Sequence, residues 1–137
     1  MHRLKTYLVE DSPVIRENLI ATLEELAPVE VVGTAESESV AVQWLQQACN
    51  QCELVIVDNF LTGGSGLGVL RAASGQQPAR ALVVLSNYAT VDMRHKCIEL
   101  GAHRVFDKSN DIDALLSYCT HLAAGNGGHA APGAVTA

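Results

Sequence analysis

No stretch of this sequence approaches the ~18 consecutive apolar residues of a membrane-spanning helix. The opening "MHRLKTYLVEDS" has one short apolar run, broken by acids and followed by no small-residue cleavage site, so it does not read as a secretion signal. Positive charge is scarce: 9 Lys and Arg stand against 15 Asp and Glu, a formal net charge of −6. That leaves no overall basic footprint for nucleic acid or anionic lipid. The expectation is a cytoplasmic protein with no direct DNA binding and no membrane attachment.

Other absences narrow the chemistry. There are four cysteines, Cys49, Cys52, Cys97 and Cys119, and no second CxxC or HxxxH completes a zinc tetrad around "CNQC". That pair falls between two elements rather than at a helix N-terminus, where a redox thiolate would be stabilised. The cysteines read as buried, reduced thiols. His95, His103, His121 and His129 show no ligand spacing. No GK[ST] follows the glycines, and "TGGSGLG" does not match the dinucleotide fingerprint, so a nucleotide or flavin binder is set aside.

What the chain does have is bulk for a core: 137 residues, 48% hydrophobic and 18% charged, in the range of one globular domain. Apolar, β-favouring runs recur at Tyr7–Val9 (reaching back to Leu4), Val29–Val32, Leu54–Val57, Leu82–Leu85 and Val105–Phe106. Segments of helical period lie between them. In "SPVIRENLIATLEEL", Ser12 can cap, Pro13 suits the first helical position, and Val14, Ile15, Leu19, Leu23 and Leu26 are expected to share the inward face. The second helix should turn Val40, Trp44, Leu45 and Ala48 inward. The third runs from about Gly66 to Ser74. The fourth has Thr90 as cap, Val91, Met93, Cys97 and Leu100 as its apolar set, and Gly101 as its stop. "DIDALLSYCTHL" closes the series.

Five strands alternating with five helices predict an α/β fold, a flavodoxin-like doubly wound sheet in the order 2-1-3-4-5. Residues 1–122 make the domain. Residues 123–137, "AAGNGGHAAPGAVTA" without its neighbours, read as a flexible Gly/Ala-rich tail.

The polar residues at the strand ends carry the function. Glu10 and Asp11 follow "YLV", Asp58 follows "LVIV", Ser86 follows "LVVL" and Lys108 follows "VFD". Ligands of an open α/β sheet bind outside the carboxyl ends of its strands. Three carboxylates, a hydroxyl and an ammonium are therefore delivered to one crevice. Three acids at close range stay ionised only if a cation shares the site, and oxygen donors select a hard ion, Mg²⁺ or Mn²⁺. A carboxylate can accept a phosphoryl group, and a metal, a lysine and a hydroxyl supply the charge neutralisation this needs. Asp58, alone on a central strand, is the expected acceptor, with the Glu10–Asp11 pair suited to metal. Taken singly, Asp11 could be a helix cap, Ser86 a cap of the fourth helix, and Lys108 a solvated loop charge.

This pattern resembles the receiver domain of two-component response regulators, over about residues 4 to 122. The acidic pair in "VEDS", the acceptor in "VIVD", the hydroxyl in "VLSN", the lysine in "FDKS" and Gly66 stand in family order. The resemblance implies that Asp58 takes phosphate from a histidine kinase or phosphotransfer protein. It implies Mg²⁺ held by Asp11, Asp58 and the backbone carbonyl of Phe60, with Glu10 acting through water. Lys108 would pair with the phosphoryl group, Asn87 would lie beside it, and Ser86 would report to the face made by the fourth helix, fifth strand and fifth helix. That face would dock an unknown partner or form a weak homodimer. Such a protein is not an enzyme, apart from self-catalysed phosphorylation and dephosphorylation.

Three departures stand out. Thr62 replaces the family's usual proline, Asn87 follows the switch hydroxyl where a small residue is usual, and Val105 takes the place of the switch aromatic. Phe106 is adjacent but points to the other face of its strand. Phe60 and Tyr88 occupy the family's rate-tuning positions, and their bulk is expected to slow hydrolysis of the acyl phosphate. Two further readings remain beside output switching: a phosphate shuttle or sink, or the receiver fragment of a longer protein, although Met1 and the immediate strand favour a complete small one. A haloacid-dehalogenase-like phosphatase also uses a strand-end aspartate, but wants a second acid where Phe60 stands.

Overall fold

The computed structural model describes residues 3–47, 52–58, 66–74, 80–86, 90–108 and 110–124. Its elements alternate as the apolar beat predicts: β1 Leu4–Val9, α1 Pro13–Leu26, β2 Val29–Ala35, α2 Glu38–Gln46, β3 Leu54–Asp58, α3 Gly66–Ser74, β4 Ala81–Ser86, α4 Val91–Glu99, β5 Arg104–Asp107 and α5 Ile112–Ala123. The five strands form one parallel sheet in the order β2-β1-β3-β4-β5. This is the flavodoxin-like architecture expected from the sequence.

Successive strand residues face opposite sides, and both sides are covered. Val55 and Val57 pack with Tyr7, Val84 and Val105 beneath α2, α3 and α4. Leu54 and Ile56 pack with Leu8, Val83 and Phe106 beneath α1 and α5. Every residue of β3 and β4 is buried, which is why those strands read as unbroken apolar runs. β2 is longer than its apolar run because it is an edge strand. Gly33 and Thr34 continue the pairing with β1 past a register shift between Thr6 and Tyr7. A Cβ on Gly33 would stand 2.9 Å from the ring of Tyr7, which stacks on Trp44 at 4.0 Å.

Helix boundaries follow local chemistry. Ser12 accepts from the N–H of Ile15 with Pro13 at the first position of α1, and Thr90 caps α4 through Met93. Gly101 ends α4 with φ of +114°. The inward faces differ from expectation in detail. α1 buries Leu23 and packs Leu19 and Ile20 on the sheet, while Val14, Leu26 and Ile15 are 70%, 62% and 39% exposed. Val14 lies half a helical turn away from Leu23, and Leu26 lies at the open end of the helix. Val40 and Val91 are likewise exposed, because Ala41 with Leu45, and Cys97 with Met93, hold the stripes facing the sheet. Ala48 lies outside the described residues. Among the described residues no helix is long and apolar enough to cross a membrane.

Candidate functional site

Parallel strands of matched register bring their carboxyl ends to one edge of the sheet. Val9 pairs with Val57, Asp58 with Leu85, and Ser86 with Asp107. Glu10 and Asp11, Asp58, Ser86 and Lys108 therefore emerge side by side from β1, β3, β4 and β5. Each strand is pinned by its buried run, so the polar residue just after that run is positioned to within the stiffness of the core.

The crevice is organised around one cation. Nζ of Lys108 lies 3.1 Å from Oε1 of Glu10 and 3.1 Å from Oδ2 of Asp58. Glu10, Asp58 and Ser86 are almost completely buried, and the Lys108 side chain is 14% exposed. Burial disfavours the Lys108 charge, but Asp58 and Glu10 outweigh it and raise its pKa above the ordinary lysine value. Burial, with the neighbouring Asp58 charge, pushes the Glu10 carboxyl above its usual range. The N–H of Ser12 and the Lys108 ammonium oppose that shift.

Glu10 is held through both its main chain and its carboxylate. Its N–H donates to Ala35 O at 2.9 Å, its carbonyl accepts from Nη1 of Arg16 at 3.1 Å, Oε2 accepts from Ser12 N–H at 3.2 Å, and Oε1 faces Lys108. The contribution of Arg16 was not legible in the sequence, although its place in the first turn of α1 puts it within reach of the strand end. Lys108 is fixed at its main chain too, its N–H donating to Ser86 O at 2.8 Å.

One oxygen from each of Glu10, Asp11 and Asp58 lies within 4.8 Å of the others. Three hard oxygen donors converging at the end of a sheet suit Mg²⁺ in number and type. The simpler readings of these residues do not hold. The cap of α1 is Ser12, not Asp11, the cap of α4 is Thr90, not Ser86, and Lys108 is ion-paired rather than solvated. Val105 is buried on the α2–α3–α4 side, and Phe106 points to the other side against Tyr118, as strand alternation requires. Phe60, Thr62, Asn87 and Tyr88 lie outside the described residues, as does Cys49.

Cys52, Cys97 and Cys119 are free, buried thiols. Burial pushes Cys52 up to about 11 and Cys119 up to about 12, so neither is a ready nucleophile.

The model of the response regulator receiver domain matches residues 7–120. The chain belongs to that family. A protein-glutamate methylesterase/protein-glutamine glutaminase of Myxococcus xanthus is 32% identical over 113 residues, covering 81% of this chain and 31% of that protein. The transcriptional regulatory protein CitB of Klebsiella pneumoniae is 26% identical over 78% of this chain and 44% of its own length. The receiver thus spans a third to a half of these relatives. Among solved structures, a LuxR-family two-component response regulator from an Aurantimonas species superposes with a TM-score of 0.79 at 22% identity, covering 98% of this chain and 93% of that one. The response regulator domain of Thermotoga maritima CheB gives 0.76 at 16% identity, covering 90% and 98%. At such identities these two establish the fold.

Proposed function

We propose that Asp58 is the phosphoacceptor of a two-component or phosphorelay system, loaded from the phosphohistidine of a histidine kinase or phosphotransfer protein. The observation that carries this reading is the Lys108 ammonium held at 3.1 Å from Asp58, inside a cluster of three carboxylates at the sheet edge. A carboxylate oxygen of Asp58 attacks phosphorus as the P–N bond breaks. The departing imidazole nitrogen keeps the bonding electron pair and is protonated from solvent. Lys108 and the Ser86 hydroxyl neutralise charge on the phosphoryl oxygens and orient them. Glu10, Asp11 and Asp58 are the residues that would hold Mg²⁺, which when bound offsets the negative charge of the acids and the phosphoryl group.

Output runs through protein docking on the α4–β5–α5 face, and the domain itself is a phosphoacceptor rather than an enzyme acting on a separate substrate. A second reading, a phosphate shuttle or sink, is favoured by the small, buried Val105 where the family's switch aromatic stands.

The test is incubation with acetyl phosphate and Mg²⁺ followed by intact-mass measurement. A single phosphoryl adduct should form, be absent in Asp58→Asn, and be suppressed by EDTA. An adduct that persists in Asp58→Asn would overturn the assignment.

A further inference from the structure

β5 is the last strand of the sheet, so among the described residues one row of its peptide groups has no strand beside it. Side chains from both neighbouring helices occupy that row. Nη1 of Arg94, on α4, donates to the carbonyl of Val105 at 2.8 Å. Oδ2 of Asp111, at the start of α5, accepts from the N–H of Asp107 at 2.9 Å, and the N–H of Asp111 returns to the carbonyl of Asp107 at 2.9 Å. Nη2 of Arg94 lies 3.4 Å from the same Oδ2 and closes the ring. α4, β5 and α5 are thus joined at one point.

That point is one residue from the site. Asp107 precedes Lys108, whose ammonium lies between Glu10 and Asp58 and whose N–H is tied to Ser86. A phosphoryl group on Asp58 adds about −1.5 to −2 charges, and Lys108 must then re-partner toward the new oxygens. Its main chain carries the Asp107–Asp111 turn with it. Val105 cannot report this change by swinging, since it is packed in the core beneath α2, α3 and α4.

We propose that the Arg94–Asp111 clasp is the element through which occupancy of the Asp58 site is felt at α4, in place of a serine–aromatic relay. This rests on the phosphoacceptor reading. Re-partnering of Lys108 pulls on the Asp107–Asp111 turn, so the closed clasp opposes loading of Asp58, and reciprocity requires that opening it tighten binding at Asp58.

The experiment uses the full chain, Mg²⁺ and beryllofluoride as the probe, with amide NMR of wild type, Arg94→Ala and Asp111→Asn. The asparagine variant keeps an acceptor for Asp107 N–H while removing the charge facing Arg94, so folding is preserved in at least one case. In wild type, shifts should spread from Ser86 and Lys108 into residues 91–99. In both variants the pocket shifts should remain, those in residues 91–99 should shrink, and beryllofluoride should bind about two- to fivefold more tightly. Undiminished α4 shifts in both variants overturn the clasp while leaving the phosphoacceptor reading intact. Absence of any wild-type response to beryllofluoride overturns the phosphoacceptor reading, and the clasp with it.

Discussion

Lys108 and Glu10 are 98 residues apart in the chain, and Nζ of one lies 3.1 Å from Oε1 of the other. Because the same ammonium also faces Asp58, Lys108 offsets two buried carboxylates at once. Truncation in Lys108→Ala leaves them without that partner. The expected loss is about 1–3 kcal/mol in urea denaturation with EDTA. Added Mg²⁺ should recover most of it, giving the variant a larger metal-induced stabilisation than wild type. A variant as stable as wild type in EDTA would show that the acids are balanced by something other than Lys108.

Ser12 links the start of α1 to the site. Its hydroxyl accepts from Ile15 N–H at 3.3 Å, and its own N–H donates to the Glu10 carboxylate. Ser12→Ala removes the cap at a cost of about 1 kcal/mol. Fraying at Pro13 would also loosen Asp11, so Mg²⁺ affinity, followed by calorimetry, should fall along with the denaturation midpoint. Ser12→Asp, which restores a capping acceptor, should recover stability. A metal affinity unmoved by Ser12→Ala would mean that Asp11 is positioned by the sheet alone.

The crevice was legible in the sequence because each acid, hydroxyl or amine directly follows a buried run, and parallel register carries strand ends to one place. Asp58 after "LVIV" and Lys108 after "VFD" needed only that rule. The stripe of α1 was less legible. Ile15 and Leu26 have helical spacing relative to the true core residues, while Val14 lies opposite Leu23, and periodicity alone does not say where the sheet lies. The Arg94–Asp111 clasp was invisible for another reason. It joins two helices across an edge strand, a contact set by tertiary placement and announced by no motif.

Gly101 is a place where only the smallest residue fits. Its φ is +114°, and a Cβ there would stand 2.5 Å from Cβ of Ser74. Gly101→Ala combines backbone strain with a clash between the end of α4 and the end of α3, at an expected cost of about 1–3 kcal/mol. Gly101→Asn should be as costly, because the side-chain hydrogen bonding that eases positive φ does nothing for the overlap with Ser74. Ser74→Gly in the Gly101→Ala background should return part of the loss. Urea midpoints of the three variants measure these effects, and a neutral Gly101→Ala would contradict both sources of strain.

The N–H of Leu82 donates to Nδ1 of His103 at 2.9 Å, and the N–H of His103 donates to the carbonyl of Leu82 at 2.7 Å. The imidazole thus extends the β4–β5 pairing by one side-chain rung, and Nδ1 can accept only while it is unprotonated. Burial of part of the ring lowers its pKa below the ordinary value of 6.5. The unfolded chain therefore binds a proton at higher pH than the folded one. The stabilisation is fully present above that ordinary value and is lost as pH falls through the folded one. Denaturation midpoints of wild type and His103→Asn, taken at pH 7.5 and again near pH 5, separate this contribution from that of other acids. Asparagine offers Oδ1 in a position near that of Nδ1 and does not titrate, so the variant should lose less stability between the two pH values. Equal losses in the two proteins would show that the Leu82–His103 rung does not report pH.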